Sequence, residues 1–121
     1  MPQITVDYSH PVEDAFDVDG FTRVLHETVV DIAAAKPEAC KTLIRYDCLS
    51  AYGYDDRADE GHALVHVTIG LLPGRTEETK ARLTEATVEL LRKHIAPQDG
   101  VTVHASAEVR ELDASYRKLE W

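Results

Sequence analysis

Between His62 and Leu72 the chain alternates with a period of two: Ala63, Val65, Val67, Ile69 and Leu71 share one side, and Leu64 and Thr68 stand on the other. Successive strand residues point to opposite faces of a sheet, so this run predicts a strand. Apolar residues on both faces predict that it lies centrally and is covered on both sides. A central strand needs neighbours at both edges to satisfy its backbone N–H and C=O groups. The sequence offers three. Gln3 to Tyr8, starting at Pro2, places Ile4, Val6 and Tyr8 on one face. Leu43 to Ala51 mixes Ile44, Tyr46 and Cys48 with Arg45 and Asp47. Val101 to Glu111 sets Val101, Val103, Ala105, Ala107 and Val109 against Thr102, His104, Ser106, Glu108 and Arg110, which predicts one buried and one wet face.

Two stretches carry the helical period instead. Phe21, Val24, Leu25, Thr28, Val29 and Ile32 recur at spacings of three and four, predicting a helix to about Ala35 that stops at Lys36-Pro37. Thr76 followed by Glu77 and Glu78 supplies a cap and first-turn acids for a second helix through Leu83, Thr87, Leu90, Leu91, His94 and Ile95, ended by Pro97 and Gly100. Tyr52 to Gly61 is expected to be a solvated loop, and Leu112 to Trp121 a polar tail. The order is β-α-β twice, an α/β (α+β) arrangement in which right-handed crossovers place both helices on one face of a single sheet. A length of 121 residues suits one domain, residues 1–121. The other sheet face then needs a cover, and a second subunit is the economical one, so the chain is expected to self-associate.

Charge and cysteine usage narrow the function. Thirteen Lys and Arg against 22 Asp and Glu give a net charge of −9, a field that repels nucleic-acid backbones and anionic membranes. An anionic small substrate requires arginines gathered locally. No run approaches the roughly 18 apolar residues of a membrane span, and no basic-then-apolar leader opens the chain. A cytoplasmic protein that starts at its functional beginning, apart from loss of Met1, is expected. Cys40 and Cys48 form no CxxC motif and are read as reduced packing residues. His62 and His66, the closest histidine pair in sequence, stand about 13 Å apart on a strand at 3.3 Å per residue, too far to share one ion. No metal site is expected from this pair. No nucleophile triad, glycine-rich phosphate loop or thiolate cluster is recognisable.

Three residues remain as candidates. Removal of Met1 would leave Pro2 with a secondary amine at the start of the first strand. Such an amine is a general base if desolvation or nearby cations such as Arg45 or Arg75 keep it unprotonated, and its matching chemistry is proton abstraction beside a carbonyl. Arg75 lies between Gly74 and a helix start, where an anion is already favoured, and would add a bidentate carboxylate clamp. Each also has a structural reading: Pro2 as a mere chain start, Arg75 as a loop arginine pairing with Glu78, Arg45 as half of a cross-strand ion pair.

The segments Met1-Pro2-Gln3-Ile4-Thr5-Val6, Leu43-Ile44-Arg45, His62-Ala63-Leu64-Val65-His66-Val67-Thr68 and Gly74-Arg75-Thr76 resemble the 5-carboxymethyl-2-hydroxymuconate delta-isomerases of the tautomerase superfamily. The resemblance spans nearly the whole chain. It implies a four-stranded mixed sheet with two helices on one face, assembled as a homotrimer. It also implies a cofactor-free isomerase acting on a small anionic unsaturated 2-hydroxy/2-oxo carboxylic acid, in the breakdown of homoprotocatechuate and related aromatic compounds. Pro2 would be general base and then acid, and Arg45 and Arg75 would hold carboxylates and the developing dienolate. Hydration, dehalogenation or decarboxylation on the same fold, or a noncatalytic binding module, are the competing readings. The acidic Tyr52–Gly61 loop and the short tail depart from the family pattern and are expected to border the pocket.

Overall fold

The computed structural model describes residues 2–54 and 58–121. Its elements are β1 (Gln3–Ser9), α1 (Val18–Ala33), β2 (Lys41–Asp47), α2 (Ala58–Gly61), β3 (His62–Leu71), α3 (Glu77–His94) and β4 (Thr102–Glu111), with single 3-10 turns at His10–Val12 and Pro37–Ala39. The strands form one sheet in the order β2-β1-β3-β4, in which β1/β2 and β3/β4 pair parallel and β1/β3 antiparallel. The expected four-stranded mixed sheet is therefore present, with each parallel pair bridged by a helix.

Ile4 and Val6 of β1 and Val65, Val67, Ile69 and Leu71 of β3 all face the helices and are almost wholly buried. They meet Phe21, Leu25 and Val29 of α1 and Leu83 and Leu91 of α3 in one cluster. Burying each such side chain stabilises the fold by about 1.5–3 kcal/mol, so this layer accounts for the helices' position. Thr87, the buried polar residue of α3, returns its hydroxyl to the Leu83 carbonyl at 2.7 Å. The two helices are tied at one end, where Asp17 N donates to His94 O (2.8 Å) and Ala96 N to Ala15 O (2.9 Å).

Several boundaries differ from expectation. α1 starts at Val18 because the Asp17 carboxylate accepts from Gly20 N (3.1 Å) and caps it. It ends at Ala33, with Ala34 left-handed at φ 56°. β2 runs from Lys41 and stops at Asp47, short of Ala51. The Tyr52–Gly61 stretch contains the short helix α2, and its residues 55–57 lie outside the described set. The second face of β3 is not covered: Leu64 and Thr68 are half-buried. Nor is the inner side of β4 sealed, for Val103 and Ala105 are exposed and only Ala107 and Val109 are half-buried. Cys40 is buried as expected, whereas Cys48 is exposed. Among the described residues no helix is long and apolar enough to cross a membrane.

Candidate active site

Because β1 and β3 are antiparallel with Gln3 opposite Gly70, the start of β1 meets the end of β3. Pro2 sits there, buried, with its carbonyl accepting from Lys41 N at 3.3 Å. The last turn of α1 ends on the same side, since α1 runs back along the sheet. Arg75, in the turn after β3, closes the arrangement: its Nε and Nη2 both donate to Ala33 O (3.1 and 3.0 Å) and its Nη1 to Leu72 O (3.3 Å). A cation on the terminal carbonyls of a helix satisfies groups that have no intrahelical partner and complements the negative end of the dipole. Three of the five guanidinium donors are used in this way, leaving one N–H on each terminal nitrogen for an anion. Gly74, at φ 124°, gives the turn that brings Arg75 back onto α1. No pairing of Arg75 with Glu78 is involved in these contacts.

The chain's tail returns to this end as well. Leu112 N donates to Leu71 O (2.8 Å), and Gln3 Nε2 donates to Tyr116 Oη (3.3 Å). Leu112 lies over Gly70, where an added Cβ would come within 2.9 Å of the leucine methyl and 3.2 Å of Gln3 O. The tail thus borders the Pro2 end of the sheet, whereas Tyr52, from the loop that was also expected to border the pocket, stacks on His62 at the opposite end of β3. Tyr116 was not legible as a partner of Gln3, because no period or motif marks the tail. Cys40, one residue before Lys41, is also nearby in the chain; its Sγ donates to Lys36 O (3.6 Å), and burial pushes the thiol pKa up.

Arg45 is placed differently. It is the fifth residue of β2 rather than near its start, and it stands opposite Asp7 on the sheet face away from the helices. There it forms a two-pronged pair, Nε to Asp7 Oδ1 at 2.7 Å and Nη2 to Oδ2 at 3.0 Å. The hydrogen bond to Asp7, then its charge, raises the guanidinium pKa above its ordinary value. Four residues along a strand from Lys41 is about 13 Å. Within one chain, then, the structure brings Pro2 and Arg75 to one end of the sheet and leaves Arg45 apart, in the cross-strand ion pair that was its structural reading.

Two larger grooves lie elsewhere. One, of about 720 Å³, runs between α1 and β2 and includes Val18, His26, Val30, Pro37 and Ile44. The other, of about 490 Å³, runs between α3 and β4 and includes Leu91, Ile95, Val101 and Val103. They occupy equivalent places in the two β-α-β halves, and neither contains Pro2, Arg45 or Arg75. Among the described residues no group of three or more His, Cys, Asp or Glu side chains is arranged to hold a metal ion.

A doubled β-α-β chain folded about an antiparallel seam is the architecture of the tautomerases, and comparison with solved structures bears this out. The crystal structure of a 5-carboxymethyl-2-hydroxymuconate isomerase from Deinococcus radiodurans R1 is 22% identical with a TM-score of 0.69, over 98% of this chain and 90% of that one. A 5-carboxymethyl-2-hydroxymuconate delta-isomerase is 16% identical with a TM-score of 0.71, over 100% of this chain and 89% of that one. A fused 4-OT described as a symmetric trimer is 16% identical with a TM-score of 0.71, over 97% of this chain and 90% of that one. No curated protein sequence matches significantly. The family model for 5-carboxymethyl-2-hydroxymuconate isomerase matches residues 2–119. The chain belongs to that family, whose members are isomerases.

Proposed function

We propose that the chain, once Met1 is removed, catalyses a cofactor-free 1,3- or 1,5-proton shift in an unsaturated 2-hydroxy/2-oxo carboxylic acid such as 5-carboxymethyl-2-hydroxymuconate. The observation that carries this reading is the buried Pro2 at the sheet end where Arg75 is also anchored. The Pro2 nitrogen takes a proton from carbon beside the carbonyl, the dienolate forms, and the same nitrogen returns the proton at the far end of the conjugated system. The ring fixes the direction of the lone pair, since proline has no free rotation about N–Cα. Arg75, its guanidinium plane set by Ala33 and Leu72, offers two remaining N–H groups to a substrate carboxylate or to the developing oxyanion. Arg45 contributes from a neighbouring subunit, because its own chain holds it away from Pro2.

That assignment goes with a homotrimer. The exposed Leu43 and Ile44 of β2, together with the two grooves, give one chain apolar edges for another to cover. The fused 4-OT of the same fold is described as a trimer. Native mass spectrometry should give three chains per particle with Met1 absent. On such protein, ultraviolet-monitored ketonisation of a 2-hydroxymuconate-type dienol should be accelerated over buffer. A baseline rate on correctly processed trimer would overturn the proton-shift reading.

Arg75→Ala separates the clamp from a purely structural role. It removes a charge-assisted contact worth roughly 1.5–3 kcal/mol, so kcat/KM should fall about 10- to 150-fold while the circular dichroism of the trimer is retained. Unchanged kinetics accompanied by a lower melting temperature would leave Arg75 only its place at the end of α1.

A further inference from the structure

Beyond Glu111 the chain turns back and crosses the Pro2 end of the sheet, meeting the strands in their spatial order. Leu112 lies over Gly70 of β3, and Tyr116 reaches Gln3 of β1. Glu120, whose carboxyl is held below its usual range by Lys118 and then by Lys41, ends the crossing at the start of β2. Ile4, Ile69 and Leu71 face the helices, so Gly70 and Gln3 face the other way and the tail runs over that face. Lys41 is the register partner of Gln3, four residues before the bonded pair Arg45 and Asp7, so it stands on the same face. A turn fixes the crossing: Ser115 N donates to Asp113 Oδ1 (2.8 Å), Tyr116 N to Asp113 O (2.9 Å) and Arg117 Nη1 to Tyr116 O (2.9 Å). The half-buried Tyr116 accepts from Gln3 Nε2 at 3.3 Å, and among the described residues its own O–H meets no acceptor. A phenol that already accepts a hydrogen bond is polarised into a stronger donor. Gln3 follows Pro2 directly, with Cα atoms about 3.8 Å apart. At this end of the sheet Arg75 lies on the helix side and Tyr116 on the other, with Pro2 at the strand start between them.

We propose that Tyr116 is a specificity-determining residue of the Pro2 site, its hydroxyl holding the far carboxylate of an unsaturated dicarboxylic acid whose near carboxylate lies on Arg75. The inference rests on the proton-shift reading for where the substrate lies, and adds to it the group that selects a second acid. A conjugated chain laid across Pro2 has one end on each side of the sheet. One end meets the guanidinium N–H groups that Ala33 and Leu72 leave over. The other meets the Tyr116 O–H, with the Lys41 ammonium on the same face supplying positive charge. A monoacid with a methyl group at that end would displace water from the phenol without offering it an acceptor, so the contact selects against the monoacid as well as for the diacid. In the proposed assembly Arg45 reaches Pro2 from a neighbouring subunit, and in its own chain it stands on the face that the tail crosses. The tail therefore forms a wall of the cleft between subunits, where the substrate enters.

The test uses the processed oligomer, with trans,trans-muconate as the diacid probe and sorbate, the monoacid of the same diene, as its control. Neither carries the hydroxyl group that ketonises, so titration calorimetry reads binding without turnover. Tyr116→Phe keeps the ring and loses only the hydroxyl. It should weaken muconate about tenfold or more and sorbate less than about threefold, with native mass and circular dichroism retained. Arg75→Ala should weaken both acids. In ketonisation of 2-hydroxymuconate, Tyr116→Phe should raise KM with kcat changed less than about threefold. No muconate binding by the wild type, equal muconate affinity in wild type and Tyr116→Phe, or an equal loss for muconate and sorbate would overturn the proposal. Isomerisation at the buffer rate by a wild type that still prefers muconate through Tyr116 would overturn the proton-shift reading and leave this subsite standing.

Discussion

Protein that retains Met1 is expected to isomerise the dienol no faster than buffer, and Pro2→Ala in processed protein to lose about 10²-fold or more in kcat with KM changed less than about threefold. The first form has an amide at Pro2, whose lone pair is delocalised into the carbonyl and does not act as a base. The second keeps an amine but frees rotation about N–Cα, so the lone pair is no longer aimed by the ring. Removing a positioned acid–base group costs a rate factor of about 10²–10⁴. KM should be spared, because the proposed mechanism assigns carboxylate binding to the arginines. Intact-mass measurement of each preparation, followed by steady-state ultraviolet kinetics, checks both forms. A retained-Met1 protein as active as the processed one would remove the amine from the mechanism while leaving the fold and family untouched.

The largest expected stability change lies in the core. Phe21 is fully buried in the first turns of α1, with its ring 5.4 Å from that of Phe16 and 6.0 Å from that of His94 of α3. It fills the joint where the two helices are tied together, so truncation leaves a void bounded by parts that cannot all collapse into it. Phe21→Ala should cost about 3–5 kcal/mol, read as a lower urea midpoint at matched protein concentration, since assembly contributes to apparent stability. Trp121→Ala, at a fully exposed position, should leave the midpoint nearly unchanged. A loss below about 1 kcal/mol for Phe21→Ala would mean that this joint is not packed as described.

Much of the fold was legible because a few strong periods dominate the sequence. The two-residue period of Ala63 to Leu71 and the three-to-four spacing of Phe21 to Ile32 both come from burial against the same layer, and each element was found. What failed was inference from side-chain type to cover. Val103 and Ala105 on β4 suggested burial that one chain does not supply, whereas Leu64 and Thr68 on β3, left half-buried, stand where a second subunit was the expected cover. A hydrophobic side chain records that a surface is to be covered, not by which molecule. At the candidate site, Pro2 and Arg75 were visible through a chain start and a Gly-Arg turn, and their common location followed from the β1/β3 pairing. Arg45 was misjudged in position because β2 begins two residues earlier than its apolar content suggested, at Lys41. Its bond to Asp7 depends on strand register, which local pattern does not encode when one sheet face is largely polar.

The antiparallel seam between β1 and β3 relates the two β-α-β halves by an approximate twofold rotation, so each half presents a strand start at opposite ends of the sheet. At one end the strand is preceded by Pro2, whose nitrogen a single cleavage can liberate. At the other, the corresponding place before His62 belongs to Gly61, whose nitrogen is locked in a mid-chain peptide bond. Covalent continuity therefore silences one of every two geometrically equivalent positions. Under the proposed proline mechanism, reactive amines would number one per doubled unit, and a symmetric trimer would carry three rather than six.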